Sequence, residues 1–261
     1  MLVLGIETAS PTGSAALLEG DEILLELRHD GANAHAERVL ALVDELFRSC
    51  RRRRSDVSKV GVGVGPGSFT GLRVGIALAQ GIGLGLGVPV LGIPSLTSMT
   101  RESAALRPGF DFYGSLLDAR RGEVFVGLFD ARGQTVVPVQ TLNADGLARQ
   151  LRSLLAQAPA GKVLLSGEFA DRQRAQLVEE GFEVQCAAEA RFPAAGWTAR
   201  LASELTPGSG AEAVPMYVRE PDAVLPRLAP NPLALPETEA GDGTPEFGPP
   251  TNEIAPTGLG R

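Results

Sequence analysis

At 261 residues the chain can form one large domain or two lobes of roughly 110 residues, each able to bury a core. Its 24 basic and 31 acidic residues leave a net charge of −7, which excludes the chain as a whole from electrostatic nucleic-acid binding. Cys50 and Cys186 stand far apart, outside any ligand spacing, and read as reduced thiols of a cytoplasmic protein; MLVLGIETAS has no basic start and is no secretory signal.

The pattern predicts a strand over 2–6, leading to Glu7, Thr8 and Ser10 and a turn at Pro11-Thr12-Gly13. Strands over 14–18 and 22–27 flank Gly20-Asp21 as a hairpin. Asn33 is the expected N-cap of an amphipathic helix over 34–52, with Val39, Val43, Leu46 and Cys50 on its apolar stripe. Arg51 to Arg54 then form a solvated basic run that complements the helix dipole.

Residues 60–92, VGVGVGPGSFTGLRVGIALAQGIGLGLGVPVLG, are the centre of the chain. Val60 to Val64 alternates branched residues with glycine, as a buried strand under close backbone approach would. Pro66 and its flanking glycines force a turn, and Ser68 suits the N-cap of the next helix. Gly71, Gly75, Ala79 and Gly83 fall on one face of that helix and leave a groove almost without side chains. Its glycines at 71, 75, 81, 83 and 85 together cost about 5 kcal/mol relative to alanine. Packing must offset this, either in an ordinary buried core or through another helix lying in the groove. Residues 74–93 carry no charge, but Pro89 ends the helix near Gly87. The remaining length, roughly 24 Å, is too short for a hydrocarbon core of about 30 Å, so the expectation is a soluble protein.

A short helix over 95–105 and a break at Pro108-Gly109 follow. Three strands (110–117, 123–129, 135–139) come next, then a helix (144–157), strand (163–166), helix (170–180), strand (182–185) and helix (194–204). Three strands followed by alternating helix and strand, twice over, predict an α/β chain of two related lobes. Nine of the nineteen prolines lie in 221–261, and 226–261 is expected to be disordered.

Familiar chemistry fits poorly. Gly65 and Gly71 miss the phosphate-loop spacing, and Leu72-Arg73 replaces its Lys-Ser/Thr. A dinucleotide fingerprint has its third glycine too late and lacks its acid between Phe69 and Arg101. Pro66 and Thr70 stand where a nucleophile elbow around Ser68 needs glycine. His29 and His35 lack clustered carboxylates for a metal. Asp118-Ala119-Arg120-Arg121-Gly122-Glu123 is either a hairpin tip or a contact loop.

The run Gly65 to Gly75 (GPGSFTGLRVG), the opening IETAS and the later DARRGE together resemble the TsaB (YeaZ) family, with Pro215-Met216-Tyr217-Val218-Arg219 as its closing P-x-Y-x-R element. The resemblance runs from Met1 to about Arg219. It implies an actin-like (ASKHA) two-lobe fold, each lobe a mixed sheet flanked by helices: an N-terminal dimerisation lobe over 1–107, a second lobe over 108–225, and the 226–261 tail. It implies a non-catalytic scaffold subunit needed for N6-threonylcarbamoylation of adenosine 37 in tRNA. The implied partners are a second copy, a TsaD-type transferase subunit, a TsaE-type ATPase through the complex, and tRNA only indirectly.

Ser95 and Met99 occupy the two positions where TsaD-like chains carry metal-binding histidines, so no metal is expected. Glu7, where family members often carry aspartate, marks with Thr8 and Ser10 a vestigial nucleotide site, and Glu168 would crowd an adenosine. No cofactor of the chain's own is implied, although a nucleotide at a subunit interface is compatible. Val39, Val43, Leu46, Phe69, Gly71, Leu72, Gly75, Ile76, Ala79 and Gly83 are the expected partner interface. The alternative from another class is a stand-alone actin-like ATPase or kinase that uses Glu7, Thr8 and Ser10 around the phosphates.

Overall fold

In the computed structural model, which describes residues 1–31, 35–154 and 161–218, two five-stranded sheets repeat one topology. In the first, β1 (Leu2–Glu7), β2 (Thr12–Glu19) and β3 (Glu22–Asp30) form an antiparallel meander. On the other side of β1 lie β4 (Val57–Gly65) and β5 (Val90–Pro94), both parallel, giving the order β3-β2-β1-β4-β5. The second sheet repeats this with β6 (Phe112–Arg120), β7 (Glu123–Asp130), β8 (Thr135–Asn143), β9 (Lys162–Ser166) and β10 (Glu183–Ala187), in the order β10-β9-β6-β7-β8. The repeat predicted from chain order is thus present strand for strand. Met1–Glu220 form one unit; the second, Pro221–Arg261, lies outside the described residues, as does the expectation of disorder over 226–261.

Helix α1 (His35–Ser49) and helix α2 (Phe69–Leu86) cover one face of the first sheet. The expected N-cap Asn33 lies outside the described residues. Val39, Val43, Leu46, Leu72 and Ile76 pack there against Leu4, Ile6, Val60 and Val62. Helix α2 is long and apolar enough to cross a membrane by composition, yet it packs on β4 with six of its residues buried. It begins at the predicted Ser68 cap, whose Oγ accepts the Gly71 amide at 3.2 Å, and ends at Gly87, held left-handed at φ 68°. Arg52, Arg53 and Arg54 of the basic run pair at the surface with Glu19, Asp56 and Asp44.

The glycine alternation in β4 has a specific cause. Its valines face α2, while Gly61 faces helix α6 (Ala195–Glu204), where a Cβ would meet the Ala202 methyl and the Thr198 carbonyl. Gly5 of β1 admits Ala195 and Ala199 of the same helix. Chain order assigns 195–204 to the second lobe, but α6 lies on the first sheet, against β1, β2 and β4. It is held at both ends: Ser14 Oγ and Glu26 Oε2 accept the amides of Ala195 and Gly196, and Lys59 Nζ donates to the carbonyls of Ser203 and Leu205.

The second lobe packs α4 (Leu147–Leu154) and α5 (Ala170–Glu179) on one face of its sheet. Of the helix predicted over 144–157, the described part is a 3₁₀ turn, Ala144–Gly146, followed by α4, and 155–157 lie outside the described residues. Helix α3 (Ser95–Leu106) packs on the second sheet, chiefly on β6, and touches α6, β4 and β5 as well.

Candidate functional site at the end of the first strand

β1 ends at Glu7, and its following turn lies flat against the start of α2. Ser68 N–H donates to the Ala9 carbonyl at 2.7 Å, and Thr8 Oγ1 donates to the Gly71 carbonyl at 2.8 Å. This contact explains three glycines. A Cβ on Gly67 would collide with Ala9, one on Gly71 with the Thr8 carbonyl, and one on Gly75 with Thr8 Oγ1. Further along, a Cβ on Gly83 would strike Val90 of β5. The groove predicted to receive another helix is therefore filled by this chain's own turn and strand.

The same packing accounts for most of the expected interface residues. Val39, Val43, Leu46, Gly71, Leu72, Gly75, Ile76, Ala79 and Gly83 are all buried within the chain, because they form or admit the first-lobe core. Phe69 alone of that set is exposed. What α2 presents outward is a different stripe: Phe69, Arg73, Ala77, Gly81 and Leu84, the last 86 % exposed, with Gly85 beside it. Gly81 and Gly85 have open space where a side chain would be. On α1, Leu40 and Ala41 are also exposed.

Glu7, Thr8 and Ser10 come together, but each is spent internally. Glu7 is fully buried; its Oε1 accepts the amides of Thr8 and Ala9, both at 2.9 Å, and its Oε2 accepts the Ser95 hydroxyl at 3.0 Å. Burial pushes its pKa up to about 7, against the opposing pull of those hydrogen bonds. Gly63 leaves room for this carboxylate, since a Cβ there would overlap it. Ser10 Oγ donates to the Thr12 carbonyl at 2.9 Å.

Ser95, singled out as an empty metal position, is thus the hydroxyl that fixes Glu7. Met99 packs with Leu96, Leu117 and Phe125. Glu168 Oε1 accepts the Asp118 amide at 3.2 Å. The DARRGE segment is the tip of the β6–β7 hairpin, with Arg120, Arg121 and Gly122 all at positive φ and Asp118 Oδ1 accepting the Arg120 amide. Among the described residues no cluster of three His, Cys, Asp or Glu side chains is placed to hold a metal.

Residues 211–218 supply a feature that periodicity could not reveal. They run beside β5 and β4, where Gly92 N–H donates to the Ala211 carbonyl and Met216 N–H to the Val64 carbonyl. Arg73 Nε donates to Tyr217 Oη at 2.9 Å, with its guanidinium 3.8 Å from the Phe69 ring centre, and Phe69 stacks on Tyr217. The only sequence signal was the closing Pro215-Met216-Tyr217-Val218, whose role a motif alone does not give.

The family model of TsaD, tRNA N6-adenosine threonylcarbamoyltransferase, matches residues 29–204. No curated protein matches the chain. A Pseudomonas aeruginosa protein described as similar to peptidase YeaZ is 25 % identical with a TM-score of 0.67, covering 84 % of this chain and 99 % of its own. YeaZ from Pseudomonas aeruginosa follows at 23 % identity and a TM-score of 0.62, covering 83 % and 99 %. The inorganic polyphosphate/ATP-glucomannokinase of an Arthrobacter strain shares the fold at 14 % identity and a TM-score of 0.50, covering 78 % and 99 %. The duplicated sheet order and these likenesses give an actin-like two-lobe fold, and the match over residues 29–204 places the chain in the TsaD family, with a structural likeness to YeaZ.

Proposed function

We propose that the chain is a scaffold and dimerisation subunit in the cytoplasmic N6-threonylcarbamoylation of adenosine 37 in tRNA, binding and supporting a TsaD-type transferase without transferring the group itself. The observation that carries this reading is the outward face of α2. Gly81 and Gly85 have no neighbour within 4 Å of a side-chain position, and Leu84 between them is 86 % exposed. Two glycines in a helix cost about 2 kcal/mol, and nothing packed against them within the described residues offsets that cost. A helix from another subunit lying on this stripe would bury Leu84 and use the room the glycines leave. The proposed partners are a second copy of this chain and the TsaD-type subunit, with a TsaE-type ATPase joining through the complex and tRNA contacted only indirectly.

The internal use of Glu7, Thr8 and Ser10 supports a role without phosphate chemistry in this chain, because a carboxylate bonded to two amides and a hydroxyl has little capacity left for a metal-bound phosphate. The test is the solution mass of the chain, alone and mixed with a TsaD-type subunit, by light scattering. The wild-type protein should form a complex, and Leu84→Glu should weaken it by at least roughly tenfold. An unchanged mass on mixing defeats the proposal.

A further inference from the structure

Two turns along α3 from Ser95, a cavity of about 250 Å³ opens between α3, α6 and the turn that joins β7 to β8. Its wall is built from Arg101, Ala104 and Ala105 of α3, Asp130 and Arg132 of the turn, and Trp197 of α6. It shares none of the residues around Glu7, and it lies on a different helix from the outward stripe of α2.

The chemistry of this wall is uneven. Trp197, the chain's single tryptophan, is half-buried and carries the Arg200 guanidinium 5.3 Å from its ring centre. Arg101 and Arg132 are exposed at the opening. Arg101 reaches across to the turn, with Nη1 3.4 Å from where a Gly133 side chain would begin. Its pairing with Glu204 is loose, at 3.6 Å between side chains that are each about half exposed, and such a pair contributes little. Among the described residues Arg132 makes no ion pair. Asp130 directs its Oδ1 into its own turn, accepting the amides of Arg132 at 2.9 Å and Gln134 at 2.8 Å. Two guanidinium groups with weak internal partners thus flank an indole and a short apolar strip.

We propose that this cavity binds a small planar ring carrying an anionic group, of the nucleoside monophosphate class. The ring would lie against Trp197, Ala104 and Ala105, and the phosphate would sit between Arg101 and Arg132. Guanidinium is the side-chain group best matched to phosphate oxygens, through paired N–H donors in one plane. Indole offers the stacking surface that any heterocyclic base can use. The volume falls just below the roughly 300 Å³ at which small-molecule sites begin, so the cavity takes a ligand no larger than a mononucleotide and leaves no room for a dinucleotide. The net charge of −7 argues against a polynucleotide as the ligand.

Because Trp197 is unique, its fluorescence in the full chain reports on this cavity alone. Titration with adenosine 5′-monophosphate should change the emission saturably, while adenosine and inorganic phosphate should each bind roughly tenfold more weakly or worse. Arg101→Gln and Arg132→Gln, both at exposed positions, should each weaken the nucleotide by roughly tenfold with the circular dichroism spectrum and Tm unchanged. Trp197→Ala, followed by calorimetry, should weaken it comparably. Three results overturn the proposal: no saturable change up to millimolar nucleotide, adenosine binding as well as its monophosphate, or both arginine variants keeping wild-type affinity.

Discussion

The Ser95 hydroxyl donates to Glu7 Oε2 at 3.0 Å and accepts the Gly65 amide at 3.3 Å, so the last residue of β1 and the first of α3 meet in a buried hydrogen-bonded pair. The family resemblance implies a vestigial nucleotide site at Glu7, Thr8 and Ser10. In this chain the carboxylate faces inward and ties the end of one strand to the start of the helix that packs on the second sheet. That geometry determines how the protein should respond to pH and to substitution.

Glu7 titrates near 4.5 when unfolded and at about 7 when folded. Between those values the folded state holds a proton that the unfolded chain releases. The contribution is therefore fully present below about pH 4.5 and is lost as pH rises through 7. The gap corresponds to about 3 kcal/mol. Urea midpoints measured from pH 5 to 8 should fall with rising pH in the wild type and flatten in Glu7→Gln. Glu102, also raised to about 7 by burial and by Glu26 and Glu189 against the pull of Arg28, acts with the same sign, so a residual slope should vanish in the double variant with Glu102→Gln.

Gly63→Ala places a methyl group in the space of the Glu7 carboxylate and should cost about 3 kcal/mol in denaturant unfolding. Combining it with Glu7→Ala opens that space. The pair should then be more stable than the sum of the two single losses predicts, by about 1 kcal/mol or more. Additive losses would show that the two positions do not compete for volume.

The two sets of α2 glycines should behave oppositely. Gly75→Ala meets Thr8 Oγ1 and should lower the Tm of the isolated chain. Gly81→Ala meets nothing within 4 Å and should stabilise the isolated chain by about 1 kcal/mol through helix propensity. Differential scanning calorimetry separates these outcomes.

Tyr217→Phe removes the acceptor of Arg73 Nε and should loosen the 211–218 segment by about 1 kcal/mol or less, since the pair is exposed. Hydrogen exchange at the Gly92 and Met216 amides, which bond that segment to β5 and β4, should accelerate roughly fivefold. Exchange at Val62 in the centre of the sheet should not change.

Much of the architecture was legible because it depends on local pattern. The glycine-flanked Pro66 turn, the Ser68 cap and the Gly87 stop mark the limits of α2 through backbone requirements that few other residues meet. Three strands followed by alternating helix and strand, twice over, announced the duplicated sheet. The glycine alternation of β4 announced close approach, but not by which element, because α6 arrives from about 140 residues later in the chain.

The glycine-rich helix shows where local pattern stops. Spacing alone placed Gly71, Gly75, Ala79 and Gly83 on one face and established that something must lie close to them. Only the tertiary structure decided that Thr8 and Val90 fill that face, leaving Gly81, Leu84 and Gly85 outward. Apart from Arg73 the outward stripe of α2 is as apolar or small as the buried one, so periodicity alone could not rank them; burial depends on which neighbours the rest of the chain supplies. The identity of Glu7 was likewise plain from the sequence, whereas its inward orientation depends on Ser95 and Gly63, side by side with it only after folding.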